Sequence, residues 1–256
     1  MALTGIELVC LPGCKTKKPC KDTLVDAVKP YFDQIFLWMD GANSGAWNMA
    51  VDQAWLEQTS LPVLRVYGWD EPTVSIGYAQ HLPKLVEALP GWPVVRRWTG
   101  GGVVLHHQDF TYSVIVPATN AWAATRPVES YRLIHSSLAT ALAEHGHPGC
   151  RLATQEDVVD APFCFVAPAV HDVVRGSVKI AGAGQRRGKL GLLHQGSIQQ
   201  VRIGADFWPL WAEQLARKVQ IIDTLPAAIA SRARELHDLR YAMAGWLSDR
   251  EDRVTR

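Results

Sequence analysis

Three segments of the 256-residue chain carry residue types that could do chemistry together. The first is Arg96-Arg97-Trp98-Thr99-Gly100-Gly101-Gly102-Val103-Val104-Leu105-His106. A strand pattern runs into consecutive glycines and then into another strand pattern. Glycine lets backbone N–H groups approach a ligand closely and permits positive φ. Such a loop can form a concave nest for a phosphate or a developing oxyanion. The two arginines suit a carboxylate or phosphate. The same residues also describe a tight hairpin beside a surface arginine pair. The second segment is Val178-Lys179-Ile180-Ala181-Gly182-Ala183-Gly184-Gln185-Arg186-Arg187. If the neighbours of Lys179 face the core, strand alternation turns Lys179 toward the other face, where a cleft could lie. An exposed lysine on an edge strand is the competing reading. The third is Pro162-Phe163-Cys164-Phe165-Val166-Ala167-Pro168. A cysteine near a lysine ammonium can become a thiolate nucleophile, and a cysteine can equally be a small buried hydrophobe.

These segments need a scaffold. Apolar Trp47, Val51, Ala54 and Trp55 fall on one helical stripe, with Asn43 or Ser44 available as its cap. Short β-rich runs follow at residues 62–67, 73–78, 94–98, 103–105 and 111–116, separated by Gly, Pro or polar clusters. Residues 81–89 read as a short helix. Tyr131, Ile134, Leu138 and Leu142 mark a longer helix that ends near Gly146. Residues 172–174, 178–182 and 190–198 read as strands, and the tail from Ala205 reads as helical. This mixture, without a regular βαβ rhythm, predicts an α+β fold: a mixed, mostly antiparallel sheet flanked by helices. Residues 1–35 read as a leader of unknown role, and 36–256 as one domain with a helical C-terminal tail.

Composition narrows the functional classes. With 26 Lys plus Arg against 25 Asp plus Glu, the net charge is +1, which gives no field suited to nucleic acid or an anionic membrane. No stretch approaches the roughly 18 apolar residues of a membrane span, and the N-terminus lacks the basic region of a signal peptide. The expected location is the cytoplasm, with the five cysteines reduced. Cys10, Cys14 and Cys20 lack the paired spacing and fourth ligand of a zinc site. Neither His-Glu-x-x-His nor Cys-x-x-Cys occurs, so no metal is expected at His106, His107, His171 or His194. Gly-x-Ser-x-Gly and Walker loops are missing too.

Taken in order, the segments resemble the lipoate–protein ligase and octanoyltransferase family, which shares a catalytic fold with biotin–protein ligases. Asn48-Met49-Ala50-Val51-Asp52 resembles the family's opening helix motif. Arg65-Val66-Tyr67-Gly68-Trp69 and the run from Pro72 to Gln80 resemble its first hairpin. Arg96 to His106, with Thr111-Tyr112-Ser113, resembles the glycine-loop signature. The Lys179–Arg187 run and Leu193-His194-Gln195-Gly196-Ser197 resemble the lysine and closing motifs. The likeness covers residues 36 to about 200.

The resemblance implies a tunnel for an octanoyl chain and a catalytic lysine at Lys179. Cys164-Phe165, followed by Pro168, Asp172, Val173 and Val174, together with Gln185 and Arg187, is similar to the cysteine-type octanoyltransferases. That branch implies a Cys164 thioester, octanoyl–acyl carrier protein as donor and a lipoyl-domain protein such as the glycine-cleavage H protein as acceptor. It implies no cofactor, no nucleic acid and no membrane. Substrate contacts are expected from Arg65, Arg96, Arg97, Gly100, Gly101, Gly102, His106, Ala181, Gly182 and Ala183. Gly102 completes a triple glycine similar to that of the ATP-dependent lipoate or octanoate ligases. The alternative is therefore an acyl-adenylate route using ATP and Mg, in which Cys164 is only packing. A non-catalytic acyl-binding protein on the same fold is the second alternative.

Overall fold

The computed structural model describes residues 30–158 and 167–254. Cys10, Cys14, Cys20 and Cys164 lie outside the described residues, as does most of the expected leader. In chain order the strands are β1 (Phe32–Asn43), β2 (Val63–Trp69), β3 (Thr73–Ile76), β4 (Val94–Arg96), β5 (Val104–His106), β6 (Phe110–Pro117), β7 (Cys150–Leu152), β8 (Val173–Arg175), β9 (Val178–Gly188), β10 (Gly191–Ile198) and β11 (Ala216–Ile222). The helices are α1 (Gly45–Gln58), α2 (Pro127–Glu144), α3 (Phe207–Leu215), α4 (Ala227–Leu236) and α5 (Ala244–Asp249).

Eight strands form one sheet in the order β11-β1-β2-β6-β10-β9-β8-β7, and β4-β3-β5 form a small second sheet. In the large sheet β1 runs parallel to β2 and β11, and the remaining neighbours pair antiparallel. The expected mixed, mostly antiparallel α+β fold is what the chain forms. Alternation along the central strands explains the layering. Leu64, Val114 and Leu192 enter a core under α2 and α3. Their sequence neighbours Val63, Ile115 and Leu193 enter a second core under α1 and α4. The sheet is thus covered on both faces, and every residue of β10 is buried.

Ser44 caps α1, its Oγ accepting from the Trp47 amide at 3.3 Å. Residues 48–56 of this helix are all buried, because it lies between the sheet and α4. Three sequence expectations change. β1 begins at Phe32, inside the segment read as leader. The tail is not all helix: Ala216–Ile222 is an edge strand parallel to β1, with Arg217 and Lys218 exposed along it, a common way to guard an unpaired edge. Residues 81–89 form only two single 3-10 turns, Leu82–Lys84 and Val86–Ala88, with Pro83 within the first. No helix among the described residues is long and apolar enough to cross a membrane.

Candidate active site

A cavity of about 320 Å³ opens over one row of the sheet. Its floor includes Gly182, Ser197, Thr111 and Tyr67, which are successive cross-strand partners on β9, β10, β6 and β2. Three strand spacings of about 4.8 Å make this floor roughly 14 Å long. Gly101 and Gly102 border it on one side, and Ala167, Pro168, Ala169 and Asp172 on another. Trp69, Val104 and Met49 supply apolar wall.

Lys179 lies at the Gly182 end. Its side chain is 8% exposed, and Nζ sits 2.8 Å from Asp172 Oδ2 and 3.4 Å from the Ala167 carbonyl. Alternation turns Lys179 to the cavity while Ile180 joins the core. Asp172 is itself buried and also receives the Tyr131 hydroxyl. Burial, then the neighbouring Asp172 carboxylate, keeps that phenol protonated well above its ordinary range.

The glycine loop is held by its neighbours. Arg97 Nη1 donates to the Ser75 carbonyl at 2.9 Å and to Ser75 Oγ at 2.6 Å. Its Nη2 donates to the carbonyls of Gly100 at 3.3 Å and Gly102 at 2.8 Å. Gly101 has φ +96°, the left-handed region that favours glycine. The Gly100 amide donates to the Gln185 carbonyl, so it is not aimed at a ligand. Thr99 Oγ1 donates to Gln195 Oε1, and Gln195 Nε2 donates to Asp52 on α1, both at 2.7 Å.

Beyond Arg97 a hydrogen-bonded line continues. Ser75 Oγ lies 2.7 Å from His106 Nε2, and His106 Nδ1 lies 2.7 Å from Asp109 Oδ2. Thr111 and Ser197 hydroxyls donate to the same carboxylate oxygen. Burial pushes the Asp109 carboxyl up. The His106 ring and the two hydroxyls outweigh this and hold it below its ordinary value. His106 stacks on Trp69 at 4.0 Å, which fixes that wall.

The structure brings Arg97, Gly101, Gly102, His106, Lys179, Gly182 and Ala183 onto one cavity. Four residues expected at substrate are elsewhere. Arg65 is fully buried and saturated by Asp52, Asp40 and Asn48. Arg96 is spent on backbone carbonyls, among them Leu247 at 2.6 Å and Gln80 at 2.6 Å. Ala181 packs in the core under α2, and Gly100 supports the loop from behind. Burial holds His194 neutral, far below its ordinary pKa, and the ring stacks on Tyr112 away from the cavity lining. Sequence reading missed Ser75, Asp109 and Tyr131. Only the His-x-x-Asp spacing of His106 and Asp109 offered a local signal.

Residues 44–202 match the family described as the lipoyl protein ligase A/B catalytic domain. The octanoyltransferase LipM of Kyrpidia tusciae is 38% identical over 172 residues, covering 62% of this chain and 63% of that protein. The octanoyltransferase LipM of Carboxydothermus hydrogenoformans is 33% identical over 205 residues, covering 76% of this chain and 74% of that protein. The chain thus spans just under two thirds of the length of the Kyrpidia relative. A putative lipoate protein ligase from T. acidophilum, solved with bound lipoic acid, superposes with TM-score 0.64 at 22% identity, covering 85% of this chain and 99% of that one. That likeness carries the fold, and the sequence match carries the membership: the chain belongs to the lipoyl protein ligase A/B catalytic domain family.

Proposed function

We propose that the protein is an octanoyltransferase that moves an octanoyl group from acyl carrier protein to the lysine of a lipoyl domain through a Cys164 thioester. The observation that carries this reading is the place of Lys179. Its ammonium lies on the cavity wall and touches the carbonyl of Ala167, three positions after Cys164 in the sequence. In this reading Cys164 acts beside that ammonium, a separation that three residues of extended backbone, at most about 10 Å, can span. The relatives named octanoyltransferase support the same activity.

In this mechanism the Cys164 thiolate attacks the carbonyl of the donor thioester. The C–S bond to the carrier breaks, and the carrier leaves as a thiolate that takes up a proton. The acceptor lysine amine then attacks the Cys164 thioester. The new amide bond forms, the C–S bond breaks, and the amine proton passes to the released cysteine sulfur or to solvent. Lys179 favours the Cys164 thiolate and stabilises the oxyanion of both tetrahedral intermediates. The amides of Gly101 and Gly102 border the same space. The cavity holds the acyl chain, each buried methylene contributing about 0.8 kcal/mol. A thioester is already activated, so the route uses no ATP and no cofactor.

The test is transfer from octanoyl–acyl carrier protein to a lipoyl domain without ATP. Transfer under those conditions supports the proposal. Modification that requires free octanoate or lipoate with Mg-ATP and releases pyrophosphate would establish the ligase reading instead. An acyl-bound protein that modifies no lipoyl domain under either condition would leave only an acyl-binding role.

A further inference from the structure

We infer that Asp172 is the positioning residue of Lys179, holding its ammonium aimed at the acyl carbonyl. This rests on the reading of Lys179 as the electrostatic partner of the acyl-transfer step.

The carboxylate of Asp172 joins three parts of the molecule. Its Oδ2 meets Lys179 Nζ on β9 at 2.8 Å and accepts the amide of Ala169 at 2.8 Å. Its Oδ1 accepts the Tyr131 hydroxyl from α2. Tyr131 in turn accepts the Ala183 amide at 3.0 Å, which locks the phenol to the strand that carries Lys179. The Asp172 side chain is 1% exposed. A buried ion pair is weak as a source of stability, because desolvation offsets most of the attraction. What this arrangement supplies is a fixed ammonium, tied by the same carboxylate to the segment that follows Cys164.

Gly182 completes the device. A methyl group there would sit 2.7 Å from Lys179 Cε, 2.9 Å from its Nζ and 3.3 Å from Asp172 Oδ1. The lysine arm therefore lies folded across Gly182, in space that only glycine leaves open. This gives Gly182 a reason beyond making room for substrate. Among the described residues, the groups facing the ammonium include the Asp172 carboxylate, which carries the Tyr131 hydroxyl, the Ala167 carbonyl and, farther off, His135. Burial pushes the His135 pKa down to about 4, so near neutral pH that ring adds no charge.

The test compares the native protein with Asp172→Asn and Tyr131→Phe. Lysines are dimethylated with ¹³C-formaldehyde, and the Lys179 signal is assigned by its loss in Lys179→Arg. In the native protein that signal should lie away from the free-lysine position and be broadened by restricted motion, and in Asp172→Asn it should collapse toward the free-lysine position and narrow. In the same variant kcat for octanoyl transfer should fall about 100-fold with KM little changed, and Asp172→Glu should recover part of the rate. Tyr131→Phe keeps the carboxylate and removes one brace, so it should show a smaller change in the same direction. It serves as the readout if Asp172→Asn does not fold. An unchanged Lys179 signal and an unchanged kcat in the folded variants would overturn the inference. The spectrum needs no substrate, so its outcome is separable from the function itself. A changed signal in a protein that transfers no octanoyl group would sink the acyl-transfer reading while leaving the ion pair in place.

Discussion

Arg96 and Arg97 share a peptide bond and clamp opposite parts of the molecule. Arg96 gathers the carbonyls of Trp246, Leu247 and Ser248 at the end of α5, together with those of Tyr78 and Gln80. Arg97 points the other way and closes on Ser75 and the glycine loop. Arg96 ends β4, and alternation carried one residue past the strand produces this division, which separates stability from activity. Arg96→Ala leaves several buried carbonyls unpaired and should cost about 3 kcal/mol. In a chain of this size that is a fall in Tm of roughly 6–12 °C. Arg97→Lys keeps the charge but loses the planar fork that spans Ser75 and Gly102. It should lower kcat/KM for octanoyl transfer about tenfold or more with a smaller change in Tm. Thermal melts and initial rates on both variants check the contrast.

Gly184 is where β9 meets the glycine loop. A methyl there would lie 2.3 Å from the Gly100 carbonyl oxygen, and both sides of that contact are backbone. Gly184→Ala should push the loop off β9, break the hydrogen bond from the Gly100 amide to the Gln185 carbonyl, and cost about 1–3 kcal/mol. Transfer should fall with it. Gly188 lies on the same strand, and nothing lies within 4 Å of a methyl placed there. Gly188→Ala should be close to neutral in both denaturant midpoint and rate.

Stability should fall on the acid side of neutrality because of His135. The ring is fully buried, placed between the His171 carbonyl and Tyr112, and burial pushes its pKa down to about 4. The unfolded chain binds the proton near pH 6.5, so protonation favours unfolding. The full contribution is present above about pH 6.5 and is lost as the pH falls from there toward 4, roughly 3 kcal/mol in all. His194, buried and held neutral, acts in the same direction. Urea unfolding at pH 7.5 and pH 5 should show the loss. In His135→Gln the difference between the two pH values should shrink, and an unchanged difference would contradict this origin.

Much of the fold was legible because its signals are local. The period-two runs that became β2, β6, β9 and β10, and the stripe of α2, needed no distant partner to be recognised. β11 was not legible, since Ala216–Ile222 continues the apolar spacing of α3 and only pairing with β1 makes it a strand. β1 carries no clean alternation, and Phe32 was assigned to the leader. At the site, the glycine run and Lys179 announced themselves by composition. Arg65 and Arg96 did not reveal their roles, because an arginine that binds substrate and one saturated by protein carbonyls look alike in sequence. The partners that decide the matter, Asp52 for Arg65 and Leu247 for Arg96, lie 13 and 151 residues away. Asp172 and Tyr131 are 41 residues apart, and neither marks the other.

The most direct test of the account is to incubate the protein with octanoyl–acyl carrier protein, without acceptor or ATP, and map the acyl group by peptide mass spectrometry. The account predicts one octanoyl group in thioester linkage on Cys164, released by hydroxylamine and discharged to a lipoyl-domain lysine on addition of acceptor. It should be lost in Cys164→Ser together with transfer. Full transfer by Cys164→Ser, or an octanoyl group found elsewhere with Cys164 unmodified, would contradict it.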